Sequence, residues 1–167
     1  MATCVGETPP QPREDRLRVA SFNSNGITNA GKRRELVRAI KKAKVDVTGI
    51  QETHVKGCGV YGQGDVNEFW EEVEGGVVWC GMEEKSRGRG REGCALVMSS
   101  RVWEGVEEWG WKGSRIVWVI SKMGIVKYAW VCVYAPVNAK NGRGREDMRK
   151  FWNDLNECLK KIGKGKN

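Results

Sequence analysis

Three short polar clusters hold the residue types that could work on a phosphate. They are Asn23-Ser24-Asn25-Gly26, Gln51-Glu52-Thr53 and Tyr134-Ala135-Pro136-Val137-Asn138. A lone carboxylate such as Glu52 is a hard oxygen ligand for Mg²⁺, an ion that takes one or two carboxylates and fills its other positions with water and substrate phosphate. Asn23, Asn25 and Asn138 bring amides that orient a phosphate or a neighbouring carboxylate without adding charge, and the Tyr134 hydroxyl can donate to a phosphate oxygen. Each cluster also has an ordinary reading. Asn-Ser-Asn-Gly alone is a turn, Gln-Glu-Thr alone a solvated strand end, and Tyr-Ala-Pro alone a strand stopped by proline. His54 is the chain's one histidine and by itself reads as a surface or hydrogen-bonded residue. A single histidine excludes a multi-histidine metal site within this chain.

The specificity lies in the order, because each cluster follows an apolar strand. Leu17-Arg18-Val19-Ala20-Ser21-Phe22 alternates apolar and polar residues, a strand pattern. Leu36, Val37, Ile40 and Ala43 have helical spacing within 32–44, with Lys and Arg on the other face. A second strand, 45–50, follows. Strand, helix, strand with short connections makes parallel pairing the expectation. The spacing predicts loop from Glu52 to about Gly64, then strands over 76–81, 94–99, 114–123 and 125–134, the last two meeting in a hairpin at Gly124. The run Glu83–Glu92, reading EEKSRGRGRE, is a solvated hairpin loop whose Arg-Gly repeats could touch nucleic acid. Met148, Phe151, Trp152, Leu155, Cys158, Leu159 and Ile162 form an apolar stripe that predicts a helix over 145–162, packed on the core. Ends of strands in α/β sheets gather ligand sites, since loops converge there over the sheet edge.

The chain has 167 residues, enough for one domain. Residues 1–15 carry Pro9, Pro10 and Pro12 without periodicity and read as a disordered leader. Residues 16–163 read as the domain and 164–167 as a basic tail. Hydrophobic residues are 40% and charged residues 30%, a folded rather than a disordered composition. The formal net charge of +8 suits a polyanionic partner such as nucleic acid, or simply a solvated basic face. The longest uncharged apolar stretch is about ten residues against the roughly 20 of a membrane span, so no integral membrane protein is expected. The N-terminus lacks the apolar core of a secretory signal. The six cysteines therefore read as reduced, mostly buried thiols, and their spacing is not that of a zinc finger.

The runs LRVASFNSNGI, VDVTGIQETH and GCALVMSS, with the strand ending VCVYAPVNA, resemble the endonuclease/exonuclease/phosphatase superfamily. They are most similar to the endonuclease domains of non-LTR (LINE-type) retrotransposons, themselves similar to abasic-site endonucleases; the stretch covered is about 17–162. The resemblance implies a four-layer α/β sandwich and a Mg²⁺-dependent phosphodiester hydrolase, with Mn²⁺ as a possible substitute, acting on DNA inside the cell, nuclear or cytoplasmic. By motif, Asn23 and Asn25 match the first-strand polar pair, with Asn25 on the substrate side. Glu52 matches the metal-binding glutamate, Tyr134 the tyrosine contacting the scissile phosphate, and Asn138 the asparagine shortly after it. The family's Gly-Asp-Phe-Asn and Ser-Asp-His motifs are absent, and with them the aspartate that activates water and its histidine partner.

The expected fold class is thus α/β, half of a four-layer α/β sandwich, with a mixed sheet and flanking helices. The expected activity is a DNA endonuclease with little turnover alone. The alternatives are a non-catalytic basic nucleic-acid-binding module or an inert retroelement fragment. Val19, Ile50, Val97, Val117, Val131 and Val133 are candidate core residues. Half a sandwich should expose an apolar sheet face of several hundred Å² or more, with self-association through that face.

Overall fold

The computed structural model describes residues 16–62, 69–88, 90–136 and 142–164. In order, its elements are β1 (Val19–Asn23), α1 (Ala30–Ala43), β2 (Val47–Gln51), β3 (Cys58–Tyr61), β4 (Gly76–Cys80), β5 (Cys94–Met98), the single turn α2 (Ser100–Trp103), β6 (Val106–Lys112), β7 (Ile116–Met123), β8 (Val126–Val133) and α3 (Gly142–Gly163). They form an α/β fold with two sheets. The first is mixed, in the order β1-β2-β5-β4-β3; the second is antiparallel, β6-β7-β8. β1 and β2 pair in parallel, Val19 opposite Val47, as strand, helix, strand dictates. β7 and β8 form the hairpin at Gly124, which has the positive φ of +60° that its turn needs.

Four layers stack in the order α1, first sheet, second sheet, α3. The outer face of the first sheet packs Ile50, Val77, Ala95 and Val97 against Val37 of α1, with Leu36 and Ile40 beside it. Between the sheets lie Val47, Val78, Leu96 and Met98 from one and Val117, Val119 and Cys132 from the other. On the far side, Phe151 and Cys158 of α3 cover Ile116 and Trp118, with Val131 and Val133 partly buried against them. All five residues of β5 are buried, because a helix covers one face and a sheet the other. A strand buried on both faces reads as a continuous apolar run.

α1 starts earlier than the spacing predicts, since Asn29 caps it: its side-chain oxygen accepts the Lys32 N–H at 3.1 Å. It stops at Lys44, in the left-handed region at φ 52°. Among the described residues no helix is long and apolar enough to cross a membrane. Five described cysteines are free thiols: Cys80, Cys94, Cys132 and Cys158 are buried and Cys58 is exposed. The 1–15 leader lies outside the described residues.

Several expectations need correction. Residues 58–61, read as loop among glycines, form β3 and pair with β4, Cys58 opposite Cys80. Residues 106–112, which carry no clear strand pattern in the sequence, form the edge strand β6. Val19 is not core: it is 60% exposed, because β1 ends its sheet and has a neighbour on one side only. Among the described residues the bare sheet face expected of half a sandwich is also absent. The chain contributes strands to both sheets, so their inner faces cover each other. Open apolar side chains lie on edge strands instead: Val19 and Phe22 on β1, Trp109 and Trp111 on β6, and Val126 on β8.

Candidate active site

The parallel pairing of β1 and β2 brings their C-terminal ends level, Asn23 opposite Gln51. The chain after each strand then folds onto its neighbour. Ser24 N–H and Oγ both reach the Gln51 carbonyl, at 2.9 and 3.0 Å, and Ser24 Oγ also lies 2.9 Å from the Glu52 carbonyl. Gly26 N–H donates to the Glu52 carbonyl at 2.7 Å and Ile27 N–H to the Thr53 carbonyl at 2.9 Å. Ser24, Ile27 and Thr53 are buried beneath this double loop, which leaves Asn23, Asn25 and Glu52 on its outer side.

Asn23 Nδ2 donates to Glu52 Oε1 at 2.9 Å, while Asn23 Oδ1 accepts the Asn25 N–H at 3.1 Å. One amide therefore orients the carboxylate and ties down the next residue of its own loop. The second sheet supplies the third group. Tyr134 follows directly on β8, and its hydroxyl is near enough to the Glu52 carboxylate for each to shift the other's titration. The Asn23 amide first, and the Tyr134 hydroxyl second, hold the Glu52 carboxyl below its ordinary range, so it stays ionised. Partial burial, with the Glu52 carboxylate as the next cause, pushes the Tyr134 phenol up, so it stays a donor. The sheets are locked beside this point: Gln51 Nε2 lies 3.3 Å from Cys132 Sγ, and Cys132 Sγ lies 3.6 Å from the Ile50 carbonyl.

The backbone here is unusual. Asn25, Glu52 and His54 all have positive φ, at 45°, 52° and 58°, and Lys44, a helix cap, is the one other such non-glycine residue among those described. Asparagine tolerates that region; glutamate and histidine pay of order 1–3 kcal/mol each, and such strain concentrates at functional sites. Lys32 backs the loop, its Nζ 2.6 Å from the Ser24 carbonyl and 3.1 Å from that of Asn25.

Of the residues singled out in the sequence, Asn23, Asn25, Glu52 and Tyr134 thus come together, and Asn138 lies outside the described residues. Three contacts were not foreseen: Ser24 as the knot between the two loops, Arg115 donating to the Tyr134 carbonyl at 3.1 Å, and Glu92 against Arg115. The one signal for them was a charged residue placed just before the buried run Ile116–Val119.

The donor set suits a hard divalent ion. Asn23 donates to Glu52 and the Tyr134 hydroxyl lies toward it, which keeps it charged and leaves lone pairs on an open carboxylate. Among the described residues no group of three or more His, Cys, Asp or Glu converges, so an ion held here would draw most of its ligands from water and phosphate, the habit of Mg²⁺.

No protein-family model and no curated protein matches the sequence. Solved structures do. An AP endonuclease from Archaeoglobus fulgidus superposes with TM-score 0.58 at 18% identity, covering 87% of this chain and 52% of that one. A 3′ phosphatase from Neisseria, solved with a product DNA hairpin, gives TM-score 0.58 at 10% identity, covering 90% and 54%. An AP endonuclease from Leishmania major gives 0.53 at 16% identity, covering 82% and 46%. The chain therefore spans about half the length of these structures and, over that half, has the α/β fold of two AP endonucleases and a 3′ phosphatase.

Proposed function

We propose that this chain carries the strand-end loops of a Mg²⁺-dependent phosphodiester hydrolase acting on DNA, an endonuclease of the retroelement type. The observation that carries the reading is the meeting of Asn23, Glu52 and Tyr134, from two different sheets, on one ionised carboxylate. The fold likeness to nucleases and a phosphatase supports it. In this reading Glu52 holds the ion, Mg²⁺ or Mn²⁺. When bound, the ion supplies Lewis-acid stabilisation of charge on a phosphate oxygen. Asn23 fixes the carboxylate's orientation, Asn25 contacts the substrate phosphate, and Tyr134 directs its hydroxyl toward the scissile group, with Asn138 as a further amide. The Gly-Asp-Phe-Asn and Ser-Asp-His motifs do not occur in these 167 residues, so in this reading these residues supply no aspartate–histidine pair to activate water. We expect turnover on the order of 10²–10⁴-fold lower for want of a general base.

Plasmid nicking with Mg²⁺ tests the reading, comparing the parent chain, Glu52→Gln and an EDTA control. Slow nicking that disappears with either change is the expected result. Nicking that survives Glu52→Gln would remove Glu52 from the site. Absence of nicking in the parent would favour the nucleic-acid-binding reading, in which DNA affinity falls steeply with salt as counterions are released.

A further inference from the structure

Glu92, at the end of the β4–β5 loop, is bonded to both halves of the candidate site. Its carbonyl accepts the His54 N–H at 3.0 Å, and the adjoining Gly93 carbonyl accepts the Thr53 N–H at 3.2 Å. Its backbone thus fixes the segment that follows Glu52. Its side chain points the other way. Glu92 Oε1 is 2.5 Å from Arg115 Nη2, and Ser114 Oγ donates to Oε2. Arg115 passes the restraint on. Its Nη1 donates to the Tyr134 carbonyl at 3.1 Å, its own carbonyl accepts the Tyr134 N–H at 2.9 Å, and its guanidinium carbon lies 5.1 Å from the centre of the Tyr134 ring. The two side chains are 24% and 26% exposed, so the pair is sheltered more than a surface ion pair.

We propose that the Glu92–Arg115 pair positions Tyr134, joining the Glu52 loop of one sheet to the end of β8 in the other so that the phenol is kept facing the Glu52 side chain. The role of that phenol in catalysis rests on the function proposed above; the positioning does not. Arginine suits the task because its planar fork serves two acceptors at once, here the Glu92 carboxylate and the Tyr134 carbonyl. A lysine in its place could satisfy one of them. Without the guanidinium, the Tyr134 carbonyl loses its side-chain donor, and the ring loses the group beside it.

The test reads Tyr134 directly. The chain has three tyrosines, so fluorotyrosine labelling gives three ¹⁹F resonances, with Tyr134 assigned through Tyr134→Phe. Glu52→Gln is introduced into the parent chain and into Arg115→Ala, with circular dichroism melts on all four proteins. The expected result is that Glu52→Gln moves the Tyr134 resonance in the parent and no longer moves it in Arg115→Ala, while Tyr61 and Tyr128 stay in place. Glu92→Gln should behave as Arg115→Ala does. Arg115→Lys, which keeps the charge and remains informative if the alanine variant unfolds, should retain part of the response. An equal response in the Arg115→Ala and parent backgrounds would overturn the proposal, as would no response in the parent. The measurement needs no metal, DNA or turnover, so it stands apart from the plasmid assay. Where nicking is present, Arg115→Ala should lower its rate roughly 10- to 100-fold, the usual effect of a group that orients a reacting one, with KM unchanged and partial rescue by Arg115→Lys.

Discussion

Glu52 is held in a backbone conformation that glutamate disfavours, and the groups around it do the holding. Gly26 and Ser24 bond to its carbonyl, while Asn23 and Tyr134 reach its carboxylate. Asn23→Ala should let the Glu52 carboxyl return upward toward its ordinary value, seen in a carbon-detected titration. The sign follows from the lowered pKa: the stabilisation is present above the unfolded-state value and lost as pH falls through the folded one. Gly26 is a second constraint on the same loop. Its φ is +86°, and a Cβ there would lie 2.8 Å from His54 Nδ1. Gly26→Ala should cost about 1–3 kcal/mol in chemical denaturation. His54→Ala added to it should recover the steric part and leave the conformational part. At this scale Asn23, Glu52 and Tyr134 were legible because their chemistry is written in side-chain type. Arg115 and Glu92 were not, since an arginine and a glutamate 23 positions apart look like any other charges until folding pairs them.

The elements divide by how they are buried. β4 and β5 are apolar runs and α1 and α3 are amphipathic helices, so each declares itself through burial on a predictable face. β3 and β6 do not. Both lie at sheet edges, where half the surface meets solvent and polar or glycine residues are tolerated; their pairing is imposed by the strand next door. α3 shows how strongly one side of an element can matter. Phe151 is 4% exposed and packs on Ile116 and Trp118, whereas its neighbour Trp152 is 52% exposed. Phe151→Ala should destabilise by about 3–5 kcal/mol. Trp152→Ala should stay within about 0.5 kcal/mol, both read from urea midpoints. Equal losses would mean that α3 packs on a different face.

At the scale of the whole molecule, two of the four sheet edges, β1 and β8, lie on the same side. β1 is bonded to β2 alone, and β8, bonded to β7 alone, packs across β2 and β5. Unpaired strand edges with exposed Val19, Phe22 and Val126 are templates for further strands. We expect concentration-dependent association in sedimentation velocity, weakened by Val19→Lys, since a charge on an edge strand blocks pairing. A single monomeric species at all concentrations would end that expectation.

The polar clusters at the strand ends, the helices, the central strands and the parallel start are all legible in the sequence, because they follow from side-chain type and the periodicity of burial. That the chain builds both sheets rather than one emerges only on folding. Folding also decides that β1 and β8 are edges and that Glu92 joins Arg115 to the Glu52 loop. Those facts depend on which strand lies beside which and on contacts between residues far apart in the chain, and neither leaves a local pattern to read.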